Sequence, residues 1–173
     1  MVEVTQGPAV RVARWTCSTG SNVQSRAVVV VQMGEHVWES SAEGNGPIDA
    51  LFEAVDRALA EVLSGHPRLL AYRVVSLGEG PDAEGEVELE IAPPAGAQGP
   101  RSEGRYRGSC QGPNTIACSV EAYLAAINAL LAEEHWAGAA EAAPRRGRRV
   151  GAAKAPGVEI NEIDHEPSRW FER

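Results

Sequence analysis

The sequence predicts an α+β fold made of two pseudo-symmetric β-β-β-α units, with antiparallel sheets packed on helices, followed by a flexible tail. Three features lead there. Short runs of apolar residues alternate with polar ones, two long apolar stripes recur at helical spacing, and periodicity stops after His135.

The first strand is read over Ala9 to Cys17, where Val10, Val12, Trp15 and Cys17 come close to period-two alternation around Arg11 and Arg14. Gly20-Ser21-Asn22 makes a turn. Val28-Val29-Val30-Val31 follows, a β-branched run suited to a central strand. Met33-Gly34-Glu35 turns the chain again, and His36 to Ser40 supplies a third strand, completing an antiparallel meander. Gly44-Asn45-Gly46-Pro47-Ile48-Asp49-Ala50 then opens a helix. Proline fits the first helical position, where its missing N–H would be unpaired anyway, and Asp49 complements the positive end of the dipole. Ile48, Leu51, Phe52, Val55, Leu59, Val62 and Leu63 form one apolar stripe, which Gly65 and Pro67 end.

A second cycle repeats the pattern. Leu69 to Leu77 reads as a strand. Val87, Leu89 and Ile91 alternate with Glu86, Glu88 and Glu90, a half-buried strand with an acidic solvent face. A loop over 93–101 leads to a strand over Glu103 to Cys110. Gly112-Pro113 precedes a helix with the stripe Ile116, Val120, Tyr123, Leu124, Ile127, Leu130 and Leu131. A shift of 68 positions carries Ile48 onto Ile116, Val55 onto Tyr123 and Leu63 onto Leu131, whereas the two Gly-Pro pairs differ by 66. A duplicated unit accounts for the match, with a slip of two residues at the helix start.

These limits define the domains: a body over 1–136, with units over 8–66 and 67–135, then a tail over 137–173. The Ala/Gly/Pro/Arg-rich stretch 137–157 cannot bury enough apolar surface to offset ordering entropy and is expected to be a disordered linker. Apolar residues return in Val158 to Ile163 and Trp170-Phe171, so 158–173 is a candidate docking segment, for this molecule, its twin or a partner.

Composition excludes several classes. With 24 acidic and 16 basic residues the net charge is −8, and the basic run Arg145-Arg146-Gly147-Arg148-Arg149 reads as a solvated linker cluster, so no nucleic-acid partner is expected. Cys17, Cys110 and Cys118 are odd in number and lack Cys-x-x-Cys spacing, which argues against a disulfide framework or zinc site. No signal-like stretch opens the chain and no apolar run approaches bilayer length, so a cytoplasmic protein with no membrane partner is expected, beginning naturally at Met1. His36, His66, His135 and His165 stand far apart and no His-x-His pair occurs, so no metal or other cofactor is assigned. Glu86, Glu88 and Glu90 read as a solubility device that blocks edge pairing rather than a catalytic cluster. No nucleophile elbow or phosphate loop is present, and no catalytic residue is assigned.

The run Gly44 to Leu51 followed by Ala54 resembles the start of the first helix in the C-terminal regulatory (allosteric, dimerisation) domain of 2-isopropylmalate synthase and citramalate synthase. Leu70-Ala71-Tyr72-Arg73-Val74 with Asp82-Ala83, and Gly112 to Ser119 with Ala122-Tyr123 and Ala126-Ile127-Asn128, resemble the strand and second helix of that domain. The likeness covers residues 8 to 134. It implies a non-catalytic module that dimerises, or joins a full-length synthase as a heteromer, and binds leucine, isoleucine or a related branched-chain amino acid. By position, the effector-binding candidates are Asn45, Gly46, Asp49 and Ala50 from the first lead-in loop, and Gly112, Asn114, Thr115 and Ala117 from the second. Chemistry agrees: helix N-termini attract carboxylates, Asp49 suits an ammonium, and Ala50 and Ala117 leave room for a branched side chain. A plainer role is open to the same residues, with Asp49 capping its helix and Asn45 and Asn114 making turns.

Many relatives carry an acidic residue and two branched aliphatics where this chain has Asn114-Thr115-Ile116, so the second pocket is expected to be altered or empty. The family's acyl-transfer chemistry belongs to a metal-dependent (β/α)8 barrel of roughly 250 residues, which no segment here resembles. Two other readings remain: a dimerisation module that has lost its effector, and a detached part of a synthase whose barrel lies on another chain.

Overall fold

The computed structural model describes residues 8–95 and 104–133, together with the backbone of 148–149. It has the two β-β-β-α units that the periodicity predicts. The first contains β1 (Arg11–Gly20), β2 (Val23–Met33), β3 (His36–Gly44) and α1 (Pro47–Leu63). The second contains β4 (Arg68–Ser76), β5 (Gly85–Ala92), β6 (Tyr106–Gly112) and α2 (Thr115–Ala132). β1-β2-β3 and β4-β5-β6 are antiparallel meanders with β2 and β5 between their neighbours, and the first sheet is extended beyond β3 by the Arg148–Arg149 segment. The tight turns fall where the sequence marks them: Asn22 and Gly34 both take φ of +60°, the left-handed conformation that asparagine and glycine tolerate best.

Alternation decides which sheet face is covered. Val29 and Val31 of β2, and Val87, Leu89 and Ile91 of β5, are buried beneath the helices. Every residue of the two predicted helical stripes is buried except Ile48 and Ile116, which are half-buried. Burial is also broader than one stripe: Ala50, Ala54 and Ala58 on α1, and Ala122 and Ala126 on α2, are in the same core. Each helix packs on its own sheet and on the other helix, so small residues are needed where two layers approach.

Links between the units are specific. Phe52 stacks on Tyr123 with ring centroids 4.2 Å apart, and the Tyr123 hydroxyl donates to Asp56 Oδ1 at 2.6 Å. Asn128 of α2 pins the chain entering β1, accepting from the Val10 N–H at 2.7 Å and donating to the Val10 carbonyl at 2.8 Å. The helix end differs slightly from expectation. Ser64, not Gly65, takes the left-handed turn, and the Gly65 N–H closes it on the Ala60 carbonyl at 3.0 Å.

Three further readings change. Over its 18 residues α2 is long and apolar enough to cross a membrane by length and composition, yet 56% of that window is buried in this core. The acidic face of β5 is not a bare row of charges: Glu90 is only 8% exposed and meets Arg105 and Arg107, each at 2.8 Å, while Glu88 faces Arg73 at 3.4 Å. In the tail, the backbone of Arg148–Arg149 pairs with His36 and Val37 at the edge of β3. The rest of the expected linker and the docking segment 158–173 lie outside the described residues.

Candidate functional site

The register of the sheets removes the two-residue slip seen at the helix starts. The last residues of β3 and β6 are Gly44 and Gly112, and the N-caps of the following helices are Gly46 and Asn114. Both pairs differ by 68, the same shift that superimposes the apolar stripes. Gly112 therefore corresponds to Gly44 rather than Gly46, and Pro113 stands outside its helix while Pro47 opens its own.

That alignment exposes a chemical difference between equivalent positions. At α2, the Asn114 side chain accepts from the Ile116 and Ala117 N–H groups, both at 3.1 Å, so the start of the helix is capped by its own residue. At α1 the N-cap is Gly46, with extended backbone and no side-chain cap. A Cβ built there would have nothing within 4 Å. The positive end of α1 thus faces open space.

The other candidates sort around these two. Asp49 is exposed, and its Oδ2 accepts from the Asn45 N–H at 2.9 Å, bracing the lead-in loop. Asp49 therefore caps no N–H of its own helix; it holds the residue before the N-cap instead. Ala50 is completely buried and faces the core, held there because the backbone at Gly44 approaches it closely: a Cβ on Gly44 would lie 2.5 Å from the Ala50 nitrogen. Thr115 is exposed but its methyl group sits over Gly85, and Ala117 is half-buried. Gly112 lies against the Cys118 sulfur. Asn45, Gly46 and Asp49 therefore share the open start of α1, whereas Asn114 occupies the corresponding place on α2.

Near that start lies an apolar surface that no helix covers. The residues of β4 opposite buried Leu89 and Val87 are Tyr72 and Val74, and Leu69 pairs with Ile91. They point to the helix side of the sheet, yet Leu69, Tyr72 and Val74 are 46%, 38% and 45% exposed. Tyr72 meets the edge of Phe52 at 6.1 Å, one turn beyond Ile48, and its hydroxyl shares a 2.7 Å hydrogen bond with Ser119. The strip from Ile48 through Phe52 to Tyr72 connects the start of α1 to this open sheet face.

Along the middle of α1, Glu53 and Asp56 meet His66 from the segment after the helix. Glu53, Asp56 and His66 have ligand atoms within 4.8 Å of one another. Burial pushes the Asp56 carboxyl up to about 6, against the opposing hydrogen bond from Tyr123. Burial, followed by the Asp56 charge, pushes the Tyr123 hydroxyl upward, so it remains the donor. Among the cysteines, burial and neighbouring Cys118 push Cys110 up to about 11, and burial raises Cys17, which keeps both protonated at neutral pH.

The LeuA allosteric (dimerisation) domain family matches residues 2–131. A 2-isopropylmalate synthase of Salinibacter ruber is 31% identical over 135 residues, covering 78% of this chain and 22% of the relative. A 2-isopropylmalate synthase of Ruminiclostridium cellulolyticum is 33% identical over 116 residues, 67% of this chain and 20% of the relative. One from Sediminispirochaeta smaragdinae is 37% identical over 113 residues, 64% of this chain and 19% of the relative. The chain spans about a fifth of the length of these curated relatives.

Proposed function

We propose, from the premise that this chain belongs to the LeuA allosteric (dimerisation) domain family, that it is a non-catalytic cytoplasmic module of leucine biosynthesis that binds leucine or a related branched-chain amino acid as a dimer. The observation that carries the reading is the uncapped start of α1 at Gly46. Unpaired N–H groups at a helix N-terminus, in the field of the helix dipole, attract a carboxylate. Asp49 keeps its Oδ1 for an ammonium while Oδ2 holds Asn45. Half-buried Ile48, leading to Phe52 and Tyr72, offers an apolar surface for a branched side chain. A zwitterion with an aliphatic side chain meets all three.

The exposed helix-side face of β4 supports the dimer. Leu69, Tyr72 and Val74 present apolar area that the chain's own helices leave bare, and a second copy or a full-length synthase subunit would bury it. Catalysis is assigned elsewhere: among the described residues every strand pair is antiparallel, unlike the parallel barrel that acyl transfer in this family requires.

One observation favours a second reading, a dimerisation module without an effector. Asn114 fills the start of α2, and Asp49 is already engaged in its loop. Calorimetric titration with leucine, isoleucine and valine separates the two. The first reading predicts heat of binding and, at ligand about 100 times its Kd, stabilisation by about 2.7 kcal/mol. A dimer by light scattering with no response to millimolar amino acid would establish the second instead.

A further inference from the structure

We propose that Glu53, Asp56 and His66 form a binding site for a divalent transition-metal ion, with Zn²⁺ the best-matched occupant. Glu53 and Asp56 are three residues apart and so lie on one side of α1. His66 reaches back to them after the chain has turned at Ser64 and Gly65, with backbone φ of +56° and +141°. Pro67 follows directly, which narrows the conformations open to His66. His66 Nδ1 lies 3.7 Å from Asp56 Oδ2 and 4.0 Å from Glu53 Oε2. Tetrahedral zinc with nitrogen and oxygen ligands sets its donors about 3.3 Å apart. The widest separation in the cluster is within 4.8 Å, so closing it needs a rotamer adjustment of the partly exposed Glu53 and His66 side chains by up to about 1.5 Å around the fixed Asp56.

Two further features distinguish the cluster from a chance meeting of surface acids. Asp56 is only 7% exposed, and its Oδ2 accepts no hydrogen bond among the described residues while it points at the imidazole. Its other oxygen is fixed by the 2.6 Å hydrogen bond from Tyr123, which is how metal-ligating carboxylates are commonly oriented. Arg57 occupies Glu53 Oε1 at 2.9 Å and leaves Oε2 for the ion. Two carboxylates balance the dication, one imidazole supplies the borderline donor that zinc and its neighbours prefer, and the exposed side of His66 leaves a position for water. Because Tyr123 belongs to α2, a bound ion would clamp α1, the turn after it and the second unit together.

The test is titration of the full chain, freed of metal with a chelator, with ZnCl₂ followed by calorimetry and thermal melting. One ion per chain and a raised melting temperature are expected, with at least about tenfold weaker binding in His66→Ala and Asp56→Asn. Since Asp56→Asn disturbs a buried hydrogen bond, the half-exposed His66→Ala variant carries the decision, with circular dichroism checking its fold. Co²⁺ in place of Zn²⁺ is expected to give visible d–d bands without a thiolate charge-transfer band. No binding at a hundred-micromolar excess, affinity unchanged in His66→Ala, or a thiolate band from the cysteines would each overturn the assignment.

Discussion

The two units share a register and a topology but begin their helices differently. At α1 the N-cap is a glycine facing open space; at α2 the N-cap is an asparagine whose side chain satisfies two backbone N–H groups. A second difference lies between strand and helix. Gly108 of β6 corresponds to Ser40 of β3, and a Cβ on Gly108 would lie 1.8 Å from the Ala122 carbonyl oxygen. The close strand–helix approach thus falls at Gly108 in the second unit and at Gly44 in the first, and only the second unit caps its helix start with a side chain. Duplication followed by such divergence leaves one helix start capped by its own side chain and the other uncapped.

Substitutions can break or sharpen that contrast. The largest effect is expected from Gly108→Ala, which forces a methyl group into the α2 backbone and should destabilise by about 3 kcal/mol, whereas Ser40→Ala should change little; denaturant midpoints measure both. Next is Tyr123→Phe. It keeps the stacking on Phe52 but leaves the buried Asp56 without its donor, at a cost of roughly 1–3 kcal/mol in the same assay. Asn114→Ala removes the cap of α2 and should cost about 1 kcal/mol.

The smallest effect concerns pH. Hydrogen bonds from Arg107, then Arg105, hold the Glu90 carboxyl below its ordinary range. A carboxylate whose folded pKa is depressed stabilises above its unfolded pKa, and that contribution is lost as pH falls through the folded value. Glu90→Gln should therefore flatten the acid limb of the melting temperature against pH while leaving the neutral limb with a constant offset. A parallel acid limb in the variant would show that the arginine pairs contribute nothing.

Much of this architecture is legible in the residues themselves. β-branched runs, apolar stripes and turn residues report backbone geometry locally, and the 68-residue shift reports duplication because both copies must bury the same face. Side-chain partnerships are less legible. That Asn114 turns inward to cap, that Ala50 faces the core, or that Glu90 is buried between two arginines depends on contacts the alternation pattern does not encode. Pairing the lead-in glycines by sequence alone matched Gly46 with Gly112, because Gly-Pro is a stronger local signal than strand register. His66 and Asp56 were separable only as isolated polar residues until the left-handed turn at Ser64 brought them together. An aspartate directly after the stripe position Val55, and one turn after Phe52, is the hint that a buried polar group is present.

The proposed carboxylate site is the uncapped N-terminus of α1. Gly46→Asn tests it directly, since the position is extended, has room for a side chain and would acquire the cap that Asn114 gives α2. With leucine added, the wild-type chain should melt at higher temperature, Asn114→Gly should keep that response, and Gly46→Asn should lose it while being a few tenths of a kcal/mol more stable without ligand. An undiminished leucine response in Gly46→Asn would contradict the claim.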